Sequence, residues 1–309
     1  MSAYLIYALC TVCAAFLLYA FMMRKQESAA AAAALPLAVI LGLILSKLVY
    51  VVLMQYEDII LYGDWEVLWD LRPRTFSFVG GAVGACLGVW LAAKLTRVKT
   101  AEAMNAFAVP GTLLVAGFRL AEIELGLLGT GRFIETTPDT SYLILAVYNQ
   151  YGEPLTAVFI WEALTALVIG SIALSQQRAG KPHVFEWTVV GLCVCQILLE
   201  SLRTQGMRWG FVCVEQLLCG VILMIMTLRA CVLSERETVV RRFLPAFILL
   251  LLMGAVVLAE FLRQRIGSEF MVNYGAYLLM AVLLVGMLLV YRNLVAHRRA
   301  DRTKTGETV

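Results

Sequence analysis

The chain predicts an all-α polytopic membrane protein of about nine transmembrane helices, and three observations carry that prediction. Hydrophobic residues make up 61% of its 309 positions and charged residues only 15%, against roughly a quarter charged in a soluble domain. Apolar windows long enough to cross a hydrocarbon core recur along its length. The cations divide unequally between alternate connections: sixteen Lys and Arg fall on one side and eight on the other, with Lys47 inside a span. By the positive-inside rule the richer side is cytoplasmic, which puts the amino terminus outside and the carboxy terminus inside.

The first window, 3–23, lacks the charged start and small-residue cleavage site of a signal peptide and reads as a retained span. Windows follow near 34–55, 77–95, 103–120, 154–175, 184–202, 209–230, 243–262 and 274–295. The third and fourth contain Gly80, Gly81, Pro110 and Gly111, residues that can break a helix or let it dip into lipid without crossing. The charge alternation requires both to cross. Gly80, Gly84 and Gly88 recur every four residues and share one helix face, which lets a neighbouring helix come close within the bilayer. The two long outer connections, 56–76 and 122–153, are rich in Glu, Asp, Tyr and Trp, and loops on a rigid scaffold are where sites concentrate. The inner connections are short and basic, as plain connectors facing an anionic leaflet would be.

Several chemistries are disfavoured at once. The net charge of +3 is small and no basic tract interleaves with aromatics, so nucleic acid is not an expected partner. Nearly all of the eight cysteines lie in apolar spans, with no Cys-x-x-Cys pair of pairs and no neighbouring histidine, and they read as small buried hydrophobes. His183 and His297 fall on the inner side, where neither can serve an outward-facing site. No metal cluster, phosphate-binding glycine loop or nucleotide motif is present, so no cofactor is expected.

What remains is arginine and carboxylate at the ends of spans. Arg119, Glu122 and Glu124 sit where the fourth span ends, and Glu200 and Arg203 close the sixth. Glu200 and Arg203, three residues apart, could pair as a structural ion pair. Alternatively Arg119 and Arg203 clamp an anionic head group, since guanidinium matches phosphate bidentately. Glu162 lies about two turns inside the fifth span, and Gln196 and Gln216 lie within the sixth and seventh; side chains of this kind need partners inside the bundle. Lys47 is left with three choices: pairing with a carboxylate, contacting a lipid phosphate, or snorkelling to the interface.

These residues carry a resemblance. The string from Trp69-Asp70 through Ser77-Phe78-Val79-Gly80-Gly81, the basic loop Arg97 to Lys99, then Pro110-Gly111 and Phe118-Arg119-Leu120-Ala121-Glu122 resembles the core of bacterial prolipoprotein diacylglyceryl transferase. Downstream, Pro154 with Phe159-Ile160-Trp161-Glu162, then Leu199-Glu200-Ser201-Leu202-Arg203 and Val214-Glu215-Gln216, is similar to that family's later segments in the same order, and Lys47 with Tyr50 falls on its Gly-Arg-x-Gly-Tyr. The chain departs from the family pattern at Val79, where the family has histidine, at Ala121 for glycine, at Glu122 for asparagine, at Gly126-Leu127 for Gly-Glu, and at Gln196 for arginine.

The resemblance implies a seven-helix transferase-like core over 1–230, two additional spans over 231–296 and a basic cytoplasmic tail over 297–309. It implies transfer of diacylglyceryl from phosphatidylglycerol, or a related anionic phospholipid, to the cysteine thiol of a lipoprotein precursor, in the bacterial cytoplasmic membrane. Arg119, Glu122, Glu162 and Arg203 would be catalytic, and Lys47, Tyr50, Gly80, Gly81, Glu200 and Gln216 would bind substrate. With Val79 at the histidine position, the base would be Glu122, Glu162, an outer-loop tyrosine such as Tyr142, or water. Two alternatives stay open: a descendant that binds phospholipid or lipoprotein without catalysis, and a transporter or membrane assembly factor.

Overall fold

The computed structural model describes residues 2–23, 28–63, 65–133, 146–149, 151–204, 206–209, 212–233, 238–266 and 270–305. Among these, nine helices are long and apolar enough to cross a membrane, in agreement with the windows read from the sequence. The helices are α1 (Ser2–Met22), α2 (Ser28–Met54), the short α3 (Tyr56–Tyr62), α4 (Phe78–Leu95), α5 (Thr100–Ala121), α6 (Val158–Arg178), α7 (Val184–Leu202), α8 (Val214–Val232), α9 (Val239–Ile266) and α10 (Phe270–Thr305). Among the described residues, two short antiparallel strand pairs accompany them. In one, β1 (Ala146–Tyr148) pairs with β2 (Pro154–Thr156); in the other, β3 (Arg208–Trp209) pairs with β4 (Val212–Cys213). Tyr142 lies outside the described residues.

The chain divides into two compact units, one of Met1–Leu192 with Leu202–Met207, the other of Cys193–Ser201 with Arg208–Val309. In the first unit, α4 is continuous despite Gly80 and Gly81, and α5 is continuous through Pro110 and Gly111. Ser77 caps α4, its Oγ accepting from the Gly80 amide at 3.0 Å, which satisfies one of the orphan donors of the first turn. The Ser77 amide in turn donates to the Ser46 carbonyl at 3.0 Å, tying the start of α4 to α2.

The glycine face of α4 lies against α2, as the four-residue spacing predicts. A Cβ added at Gly84 would stand 2.3 Å from the Leu41 carbonyl oxygen, and one at Gly88 would stand 2.4 Å from the Ala38 backbone. Only hydrogen fits where two backbones touch. At the far end of this seam sits a core of Ala30, Ala34, Ala38, Val89, Ala92, Ala93 and Ala103, closed by the aromatic trio Phe16, Tyr19 and Phe107. Tyr19 meets Phe107 edge to face with ring centroids 5.7 Å apart, a favoured aromatic geometry.

In the second unit α8 packs on α9 and α9 on α10. Gly220 of α8 seats the Met253 side chain of α9, whose Cε would be 2.5 Å from an added Cβ.

Candidate active site

Four of the residues singled out in the sequence meet in the first unit. Arg119 is in the last turn of α5, after which the chain runs into a 3-10 segment, Glu122–Gly129. Glu162 points inward from the first turns of α6, and Arg203 is the first residue beyond α7. All four are buried, Arg119 at 2% exposure and Glu162 at 3%.

Their charged groups form a closed ring in which each cation touches both anions. Arg119 Nη1 donates to Glu122 Oε1 at 2.6 Å, and Arg119 Nε lies 3.3 Å from Glu162 Oε2. Arg203 Nη2 donates to Glu122 Oε2 and, at 2.5 Å, to Glu162 Oε2. Two guanidinium and two carboxylate groups cancel, so the ring is neutral as a whole. Neutrality is what makes it tolerable, since moving each ion out of water costs several kcal/mol that only close, well-hydrogen-bonded pairing offsets. Phe78, next to the Ser77 cap, covers Arg119 with its ring centroid 3.7 Å from Cζ, a cation–π contact that desolvation strengthens.

The ring is positioned by a short string that sequence reasoning passed over, Gly129-Thr130-Gly131. A Cβ at Gly129 would stand 2.8 Å from Glu122 Oε2, and one at Gly131 would stand 2.8 Å from the Leu202 carbonyl. The Gly131 amide donates to Thr156 O at 2.7 Å, just before α6, and the Thr204 amide donates to Thr130 O at 3.2 Å, just after α7. One strand of backbone therefore fixes the entrance of Glu162 and the exit of Arg203 against Glu122. A Gly-Thr-Gly triplet between two spans was the available signal. Tyr4, half-buried at the start of α1, also escaped notice and lies within electrostatic reach of Glu122 and Arg119.

The remaining sequence-predicted residues make other contacts. Lys47 reaches from α2 to the connection before α4, donating to Asp70 O at 2.6 Å and Thr75 Oγ1 at 3.0 Å, with the Tyr50 and Phe76 rings beside its ammonium. Its ammonium thus holds backbone and hydroxyl oxygens of a loop. Gly80 and Gly81 belong to the α2–α4 seam. Val79 is buried in the first turn of α4. Glu124 is exposed.

Glu200 and Gln216 lie in the second unit, so Glu200 and Arg203 belong to different units despite their spacing. Glu200 accepts from Gln196 Nε2 at 2.9 Å, and Gln216 Nε2 donates to Ile197 O at 2.8 Å.

Outside the spans, the half-buried Asp70 carboxylate is paired with the exposed Arg72, whose Nη2 stands 2.6 Å away. Hydrogen bonds from Arg72 hold the Asp70 carboxyl down to about 2.

With this geometry in view, the prolipoprotein diacylglyceryl transferase family model matches residues 2–233, which takes in α1 to α8 and leaves α9 and α10 beyond it. Comparison with individual curated proteins gives no match.

Proposed function

The chain belongs to the prolipoprotein diacylglyceryl transferase family, and we propose that it moves a diacylglyceryl group from phosphatidylglycerol to the cysteine thiol of a lipoprotein precursor at the Arg119–Glu122–Glu162–Arg203 ring. The observation that carries this reading is that two guanidinium groups, one from the end of α5 and one from the end of α7, share the same two buried carboxylates.

The ring serves as a preorganised, charge-balanced anion site. An incoming phosphodiester takes over part of the guanidinium hydrogen bonding, for which planar bidentate donors are suited. A carboxylate so relieved, Glu122 or Glu162, is free to take the proton of the thiol, and the thiolate is the nucleophile. Sulfur then attacks the glyceryl carbon that carries the phosphate. The C–S bond forms as the C–O bond breaks, and glycerol phosphate leaves with the electron pair and a second negative charge. Arg119 and Arg203 stabilise that developing charge in a water-poor site. Val79 has no proton to give or take, which is why the base is assigned to the ring. The reaction is assigned to the core over 1–230, facing the outside of the bacterial cytoplasmic membrane, with the carboxy terminus inside.

The test is incubation of the purified full chain with phosphatidylglycerol and a peptide carrying the precursor cysteine. Diacylglyceryl thioether and glycerol phosphate should appear in equal amounts. Absence of both products overturns the reading. Saturable phosphatidylglycerol binding without product would instead establish a phospholipid- or lipoprotein-binding protein without catalysis, a second reading favoured by Val79 and by carboxylates already holding both arginines.

A further inference from the structure

Arg119 is held from two directions. Its edge meets the carboxylates of the charged ring, with Nη1 donating to Glu122 Oε1 at 2.6 Å, and one face lies under Phe78, whose aromatic centroid is 3.7 Å from Cζ. A stacked aromatic fixes the plane of a guanidinium, and all five N–H groups lie in that plane. Whatever holds Phe78 therefore sets the direction in which Arg119 presents its fork.

Phe78 is the first residue of α4, and the backbone before it is held by two consecutive residues of α2. Ser46 forms a reciprocal pair with Ser77: its carbonyl accepts from the Ser77 amide at 3.0 Å, and its Oγ donates to the Ser77 carbonyl at 2.5 Å. Lys47 holds the turn further back, donating to Asp70 O at 2.6 Å and to Thr75 Oγ1 at 3.0 Å. Thr75 Oγ1 closes that turn on itself, with Asp70 O and Arg72 O each 2.9 Å away as acceptors. Ser77 is 0% exposed and Thr75 8%, so the segment is a buried joint between α2 and α4. Of its donors the Lys47 ammonium is the charged one, and a charge-assisted hydrogen bond is roughly twice as strong as a neutral one. All of these residues belong to the first unit.

We propose that Lys47 is a positioning residue for Arg119: by gripping the Asp70–Thr75 turn it seats Phe78 on the guanidinium and keeps the fork aimed at the ring carboxylates. Its effect passes through Phe78, without contact with substrate. The consequence for catalysis rests on the transfer reaction proposed above, while the placement of Arg119 does not.

The experiment reads the two separately. In the full chain labelled with 15N-arginine and held in lipid nanodiscs, the Arg119 Nε–H signal, assigned by its loss in Arg119→Lys, should carry the ring-current shift of Phe78, which vanishes in Phe78→Leu. Lys47→Met, which keeps the stem and has no donor, should remove most of that shift, and Lys47→Arg should restore it. Thr75→Val, which removes only the hydroxyl that Lys47 grips, should move the signal in the same direction by less, and it carries the test should Lys47→Met not fold. In parallel, kcat/KM for transfer should fall about tenfold or more in Lys47→Met, the scale expected when a catalytic group is displaced by about an ångström, and should recover in Lys47→Arg. The double variant Lys47→Met with Phe78→Leu should lose no more than the worse single variant, because both act on one contact, whereas support of the turn for its own sake would add a separate loss. An Arg119 signal unmoved by Lys47→Met and Thr75→Val, or losses that add in the double variant, overturns the proposal. Absence of transfer in the unsubstituted protein, with the Arg119 signal responding as described, overturns the transfer reading and upholds the positioning.

Discussion

The α2–α4 seam and the arginine–glutamate ring are both buried in the first unit, and they solve opposite problems of a medium without water. At the seam the partners are neutral backbones, and stability comes from proximity alone, so the contact tolerates no added atom. In the ring the partners are ions, and stability comes from complementarity of charge, so the contact tolerates no removed atom. The difference teaches that burial by itself says little: Gly84 and Arg203 are both enclosed, yet one fails by enlargement and the other by truncation.

The sharpest break comes from truncating the ring. Arg203→Ala leaves Glu122 and Glu162 with one cation between them, and loss of one partner from a buried pair typically costs about 3–5 kcal/mol. Thermal melting in detergent should fall markedly and transfer should stop. The double change Arg203→Met with Glu162→Met removes one charge of each sign and should recover most of the melting temperature, since apolar replacement of a buried pair is often close to neutral. Transfer should stay absent. Retained transfer in the double variant would make the ring merely structural.

Enlarging the seam is the next effect in size. Gly84→Leu drives a side chain into the Leu41 carbonyl, and overpacking costs about 1–3 kcal/mol or more. Yield of monodisperse protein on gel filtration should fall, with no recovery from any change in charge. Normal yield would mean that α2 and α4 can separate at little cost.

A glycine outside any seam supplies the control. Nothing stands within 4 Å of a Cβ added at Gly254 in α9. Gly254→Ala should raise stability slightly, by about 0.5–1 kcal/mol from helix propensity, and melting should show it. A loss comparable to that at Gly84 would remove the distinction between close-approach and spectator glycines.

The smallest effect concerns the Asp70–Arg72 pair. The carboxyl titrates at about 2 instead of 3.8, so its folded value is depressed. The contribution of the pair is fully present above the unfolded value and is lost as pH falls through about 2. Fluorescence of the neighbouring Trp69, 82% exposed, should stay flat from about pH 5 to about pH 3 and change only below that. A transition near 4 would show that the pair does not persist.

What the sequence by itself determined is whatever repeats locally or depends on composition. The nine spans follow from runs of apolar residues, and the α4 seam follows from glycines four apart, because helix period and bilayer thickness translate spacing directly into geometry. Motif order along the chain likewise pointed to Arg119, Glu162 and Arg203 before any coordinates. Only the tertiary structure decided their partners. That Glu122 and Glu162 each hold both arginines, that Gly129-Thr130-Gly131 braces them, that Lys47 serves a loop, and that Phe78 lies over Arg119 all depend on residues far apart in the chain. Such contacts leave no period to read, since the field a buried ion feels is set by the few groups folding brings within a few ångströms.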